Sequence, residues 1–304
     1  MPLRYINPYT DFGFKKLFGE EANKDLLIDF LNAVLPPEHR IKTLTFNNPE
    51  QLPDNIIDRK AIFDISCTGE HNESFTVEMQ KAKQLYFKDR ALFYSSYPIQ
   101  RQAQKGDWDF KLNPVFLVAI LDFQYDQEEE RQKLYRLVTL RDCDGELFSD
   151  TLQMIFLQMP CFQLRESELF TQRDKWLFFL KHLESFEYIP SILREPIFEK
   201  AFATAEYIKF PPAIQEVYQK DLMAYRDNRN VLETARIEGE IKGFTKGFVE
   251  GEAKGFVEGE AKGEAKGEVR RQTAIARNLK HLGIDFEMIS KGTGLSIDEI
   301  DKLN

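Results

Sequence analysis

Residues 60–80 read KAIFDISCTGEHNESFTVEMQ, and this stretch decides the fold. Segments 60–68 and 74–80 carry strand-forming residues on either side of a polar turn at Gly69–Glu73, which predicts a hairpin. Side chains two apart on a strand share a face. Glu78 and Gln80 therefore point together, while Val77 and Met79 point the other way. Asp64 interrupts the apolar run of Ile62, Phe63 and Ile65 near the middle of the preceding strand, across from Glu78 and Gln80. A charge in such a place needs a partner or a metal.

Outward from the hairpin, residues 9–35 predict two short helices. Phe14, Leu17 and Phe18 form one stripe, and Leu26, Leu27, Phe30, Leu31 and Val34 form another. Pro36-Pro37 ends that stretch, a strand follows at Ile41–Phe46, and a polar loop runs through Asn47–Asn55. Residues 84–104 predict a helix with Leu85, Leu92, Ile99 and Ala103 on one side and a kink at Pro98. Pro114–Phe123 is a nearly continuous apolar run, as expected of a central strand covered on both faces. Two more strands fit at Lys133–Leu140 and Leu152–Gln158. Strands mixed with covering helices make an α/β sandwich.

The chain has 304 residues, 42% of them apolar and 30% charged, with 26 Phe and a net charge of −9. That balance argues against a protein that coats nucleic acid non-specifically, because phosphate contacts need clustered Lys and Arg. Cys67, Cys143 and Cys161 show no CxxC spacing, and His39, His71, His182 and His281 are scattered. A reducing compartment is the simple reading. The longest apolar run, Val115 to Leu121, is too short to span a bilayer, and MPLRYINPYTDF lacks the apolar region of a signal peptide. The expectation is a cytoplasmic protein without a membrane partner.

Phosphodiester cleavage needs an anionic pocket for Mg²⁺, which takes one or two protein carboxylates beside water and substrate oxygens. The Asp64–Glu78 hairpin can supply them. Just beyond it, residues 81–105 hold six basic residues and one acidic residue, Asp89. Arg90, Tyr94, Tyr97 and Arg101 recur there at helical spacing, a basic and aromatic stripe suited to a phosphate backbone or equally to a surface face with snorkelling side chains. The carboxylate excess between Asp122 and Asp150 is expected elsewhere on the surface.

TDFGFKKLFG, NKDLLIDFLNAVL, IFDISCTGE with FTVEMQ, and KDRALFYSSYPIQRQ occur in that order. Together they resemble the recombination-promoting nucleases, also described as PD-(D/E)XK nuclease family transposases, over roughly residues 5–165. The resemblance implies a restriction-endonuclease-like core with a mixed central sheet flanked by helices. It also implies a DNA endonuclease using Mg²⁺ or Mn²⁺, associated with recombination. By position, Asp64 matches the Asp of the motif and Glu78 its second acidic residue, so both are expected to bind metal. Gln80 stands where the wider superfamily has Lys; an amide can orient water but supplies no positive charge. Lys60 or Lys81 are candidates to replace that charge, although Lys81 should point away from Gln80. Asp11 and Lys15 match a family position at the start of the first helix and are expected to close the site, with helix capping an equal reading for Asp11. The alternative function is a nuclease fold that has lost efficient cleavage and serves as a DNA-binding or assembly module.

The expected organisation is a nuclease core at 1–165, a helical extension at 166–236, a segment at 237–269 with Gly at every fourth position from 239 to 267, and a helical element at 270–304. Eight glycines in a helix cost about 6–8 kcal/mol relative to Ala. The repeat is either a flexible linker or a helix whose small residues admit a partner helix in a homodimer, with Glu250–Lys254 and Glu258–Lys262 as ion pairs. The last segment has a helix-turn-helix outline with a capping box at Ser296–Glu299, serving either for DNA reading or as a small structural cap or oligomerisation element.

Overall fold

The computed structural model describes residues 4–47, 50–51, 61–62, 64–103, 106–125 and 133–303. Lys60 and part of the expected loop 47–55 lie outside them. The chain divides into two compact units, Met1–Arg226 and Asp227–Asn304.

The first unit begins with α1 (Asp11–Phe18) and α2 (Lys24–Val34), whose predicted stripes are all buried. Six strands form one sheet: β1 (Leu44–Phe46), β4 (Ile65–Gly69), β5 (Ser74–Gln80), β6 (Val115–Leu121), β7 (Tyr135–Arg141) and β8 (Leu147–Gln158), in the spatial order β1-β4-β5-β6-β8-β7. The β5–β6 and β6–β8 pairs are parallel and the others antiparallel. β6 is buried along its whole length, as a central strand should be. α3 (Phe87–Gln100) packs on β6, whereas α4 (Gln172–His182) and α5 (Pro196–Ala205) pack on α2 and α1, and the first turns of α6 (Pro212–His281) join the same core.

Alternation along the strands separates two cores. Ile65, Cys67, Phe75, Val77, Phe116, Val118 and Ile155 face the large one, with α1, α2, α4, α5 and the start of α6. There Trp176 sits among Phe18, Phe30 and Phe198, with ring centroids 4.8–6.0 Å apart. Residues from 166 to 226 thus share this core with the N-terminal helices. On the opposite face Leu117, Ala119, Leu121 and Phe156 pack with Phe87 and Ala91 of α3 in a smaller cluster, which Phe123, Tyr125, Val138 and Met154 border.

Two expectations are corrected. The strand foreseen over 60–68 is divided: β3 (Ala61–Ile62) pairs with β2 (Glu50–Gln51) in a separate ladder, and β4 begins at Ile65. Asp64 falls in the bend where the chain changes partners. The inward face of α3 is Phe87, Ala91, Ser95 and Pro98, not Leu85, Leu92, Ile99 and Ala103. Small residues at 91 and 95 let the helix approach the sheet, so Leu92 is 52% and Leu85 87% exposed.

In the second unit, the glycine repeat is helical throughout as part of α6. α7 (Phe286–Thr293) and α8 (Ile297–Asp301) close a small core of Ala276, Ile289 and Ile300. The capping box expected at Ser296 and Glu299 is present. Lys280 Nζ donates to the carbonyls of Ile300, Asp301 and Leu303, at 3.1, 2.8 and 2.9 Å, which ties α8 back to α6.

Candidate active site

Strands β5, β6 and β8 run parallel, and in open α/β sheets ligands collect beyond the carboxyl ends of such strands. Glu78 and Gln80 end β5, and Asp122 follows β6 directly, its N–H donating to the Gln80 carbonyl at 2.9 Å. Ile65 pairs with Val77, so one further step of the same register sets Asp64 opposite Glu78. Asp64 Oδ2 accepts the Met79 N–H at 2.8 Å, satisfying a backbone donor that β4 starts too late to reach. Gln80 Nε2 donates to Glu78 Oε2 at 2.8 Å.

Both carboxyls hold their protons more firmly than usual. Burial pushes Glu78 up to about 7, the Asp64 charge adds to the shift, and Gln80 and Arg90 oppose it. Burial also raises Asp64, opposed first by the Met79 hydrogen bond; Asp11 pushes it further up, while Lys15 and Lys81 push it down. Two desolvated carboxyls, one at the end of β5 and one in the bend before β4, are a poor place for two negative charges and a good place for a divalent cation. Among the described residues no group of three or more His, Cys, Asp and Glu is arranged to hold a metal ion. A pair is sufficient for Mg²⁺, which completes its shell with water and phosphate oxygens.

The start of α1 is pinned beside this pair. Thr10 Oγ1 accepts the Gly13 N–H at 2.9 Å, so Thr10, not Asp11, caps the helix. Asp11 instead forms an ion pair with Lys81 at 2.5 Å. Lys81 is committed to that pair, and its charge also reaches Asp64. Lys15 and Asp64 line one cavity of about 400 Å³, together with Phe46, Asn47 and Ser66. The structure therefore brings Asp64, Glu78, Gln80, Asp11 and Lys15 to one end of the sheet.

The predicted basic and aromatic stripe is present but divided in its surroundings. The Arg90 guanidinium lies 5.0 Å from the centre of the Tyr94 ring, its Nε is buried without a hydrogen-bond partner, and its charge acts on Glu78. Tyr94 and Tyr97 both pack against Phe93. Arg101, at the far end of α3, is exposed.

Three groups escaped the sequence reading. Asp122 was grouped with surface carboxylates, yet its Oδ2 accepts from Tyr225 Oη at 3.4 Å. Buried Tyr9 is held far above the usual phenol range by desolvation, then by Asp122 and Tyr225. Asp122 ends an apolar strand as Asp64 interrupts one, which is the signal that marks it. Tyr225 comes from α6, a hundred residues on, and carries no local signal.

The mixed six-stranded sheet with helices on both faces is the PD-(D/E)XK type of α/β fold. The chain belongs to the PD-(D/E)XK nuclease family transposases, whose family profile matches residues 8–235. That match includes the helical segment beyond residue 165. No curated protein and no solved structure matches the chain. Membership points to a nuclease- or transposase-related function, and among the described residues no helix is long and apolar enough to cross a membrane.

Proposed function

We propose that this protein is a divalent-metal-dependent DNA endonuclease that hydrolyses phosphodiester bonds in recombination or mobile-element processes. The observation that carries the reading is the adjacent, partly desolvated Asp64 and Glu78 pair, whose protonation is favoured in the absence of a cation. Asp64 and Glu78 would hold Mg²⁺ or Mn²⁺. A bound ion of that kind activates water and offsets charge on the reacting phosphate.

The remaining roles belong to the chain itself. The Met79 N–H fixes the Asp64 carboxylate, and Gln80 fixes Glu78 through its amide, leaving the Gln80 carbonyl to orient water. Arg90 and Lys15 supply positive potential at Glu78 and Asp64 respectively, which compensates for the missing Lys at position 80. Lys81 contributes less, because it is paired with Asp11. Arg90, Tyr94, Tyr97 and Arg101 contact the DNA backbone. The free thiols Cys67, Cys143 and Cys161 suit a cytoplasmic setting.

The protein works as a homodimer in this reading, since one such site cuts one strand. The glycine repeat supports it: a Cβ added at any of the eight glycines from 239 to 267 meets nothing within 4 Å. Among the described residues nothing packed against them requires glycine there, whereas a partner helix would.

Nicking of supercoiled plasmid in Mg²⁺ or Mn²⁺ tests the assignment. Wild type should cut, while EDTA, Asp64→Ala and Glu78→Ala should each stop it. Binding without cutting in either ion would make the protein a DNA-binding or assembly module instead.

A further inference from the structure

The polar face of β4 and β5 extends beyond the acidic pair. Ser66 pairs with Thr76 and Thr68 with Ser74, so four hydroxyl-bearing residues lie on the face opposite the large core. The small core beneath α3 uses β6 and β8 and takes nothing from β4 or β5. Ser66 and Thr76 are buried, and beside them lies a cavity of about 570 Å³ lined by Asn47, Ser66, Thr68, Ser74, Arg101 and Gln102, with Phe46 and Pro98. Phe46, Asn47 and Ser66 also line the cavity that holds Asp64 and Lys15, so the two hollows share a wall.

The groups in this hollow differ in what they are committed to. Asn47 Nδ2 donates to Ser66 Oγ and Thr68 Oγ1 at 3.3 and 3.0 Å, and Gln102 exchanges two hydrogen bonds with the Asn113 backbone. Among the described residues, the Ser74 hydroxyl and the Arg101 guanidinium have no hydrogen bond or ion pair. Among the described residues, Arg101 is the only charged residue lining the hollow, and no carboxylate does. A guanidinium above a floor of hydroxyls, with no neutralising anion among the described residues, matches a phosphate in charge and in donor geometry. Four residues of strand separate Ser74 from Glu78, about 13 Å.

The geometry points to a second phosphate subsite, in which Arg101 and Ser74 hold a backbone phosphate of the nucleic-acid strand a short way from the bond placed at Asp64 and Glu78. The subsite rests on the nuclease reading only for its ligand's identity. It sets the path of the strand: across the β4–β5 face, along α3 from Arg90 toward Arg101.

The test uses the full-length protein and a fluorescent DNA duplex, with binding measured in Ca²⁺ over a salt series and nicking measured in Mg²⁺. Arg101→Ala should weaken binding about tenfold at low salt and reduce the slope of log K against log salt by about 0.9, the value for one phosphate. It should raise KM more than it lowers kcat. Arg101→Lys should recover the salt slope but only part of the affinity, and Ser74→Ala should weaken binding without changing the slope. If wild type cuts and Arg101→Ala matches it in affinity, slope and KM, the subsite is refuted and the nuclease reading stands. If wild type binds but never cuts, the nuclease reading fails and the Arg101→Ala comparison still decides the subsite. A wild type that binds no DNA overturns both.

Discussion

The Asp64 carboxylate and the Met79 amide meet at 2.8 Å across a bend, not within a ladder. β4 begins one residue later, so this side chain replaces a backbone acceptor at the end of the sheet. Asp64→Asn keeps an oxygen there and removes the charge. Its unfolding midpoint in urea should therefore stay near wild type, while plasmid nicking falls by more than about a hundredfold, beyond the effect of losing an outer-shell partner. Equal nicking by the two proteins would remove Asp64 from the site.

Glu78 makes stability depend on pH in a defined direction. In the folded chain it keeps its proton up to about 7, against an ordinary value of 4.5 when unfolded. Between those values the folded state binds more protons, so this residue's contribution falls as pH rises through the window and is level above it. At 1.36 kcal/mol per unit the full fall is about 3 kcal/mol. Scanning calorimetry from pH 5 to 8 should show Glu78→Gln gaining on wild type through that range. Added Mg²⁺ should raise the wild-type Tm more at pH 8 than at pH 6, because a ligand carboxyl must be ionised, and should not do so in Glu78→Gln. A constant difference between the two proteins across the range would contradict the burial account.

Gln80 holds the Glu78 proton affinity down through its hydrogen bond. Gln80→Ala should therefore move the acidic limb of the pH–nicking profile to higher pH. Gln80→Lys, which places a cation there, should move it to lower pH. Shifts in the same direction would show that the limb belongs to another group.

Gly13 lies where α1 meets the preceding turn, and a Cβ there would come within 2.1 Å of the Asn7 carbonyl oxygen. That oxygen also accepts from Thr10, and the Asn7 N–H donates to Tyr218 Oη, so the turn has little room to give. Gly13→Ala should cost about 1–3 kcal/mol in urea unfolding, the usual range for overpacking. It should also disturb nicking, because Lys15 is on the same helix. An unchanged midpoint would mean that the turn relaxes freely.

The glycine repeat gives the opposite sign. With nothing within 4 Å, Ala at Gly247, Gly251, Gly255 and Gly259 should increase helicity, by about 0.8–1 kcal/mol per site in an isolated helix. If the glycines seat a partner helix, the same changes should abolish a crosslinked dimer. Light scattering that finds a monomer at micromolar concentration for wild type would sink the pairing. Of the expected ion pairs, Lys262–Glu258 forms at 3.5 Å, whereas Glu250 pairs with Lys246 at 3.8 Å.

Periodicity alone was enough for α1 and α2, the β4–β5 hairpin, the buried β6 and the capped α8, because each depends on neighbours within a turn or a strand. Asp64, Glu78 and Gln80 stood out for the same reason: polar residues set into apolar strands announce themselves locally. The buried face of α3 was not legible, since Leu85 and Leu92 satisfy the helical period but Ala91 and Ser95 fit the space above the sheet. Nor was the break before β4, where Asp64 takes over a hydrogen bond from a strand that has ended. The pairing of Asp122 with Tyr225, the lifting of Glu78 toward neutrality and the shared wall at Asn47 and Ser66 all arise between segments far apart in the chain. Burial and electrostatic coupling depend on which surfaces close over a group, and only packing the distant segments together settles that.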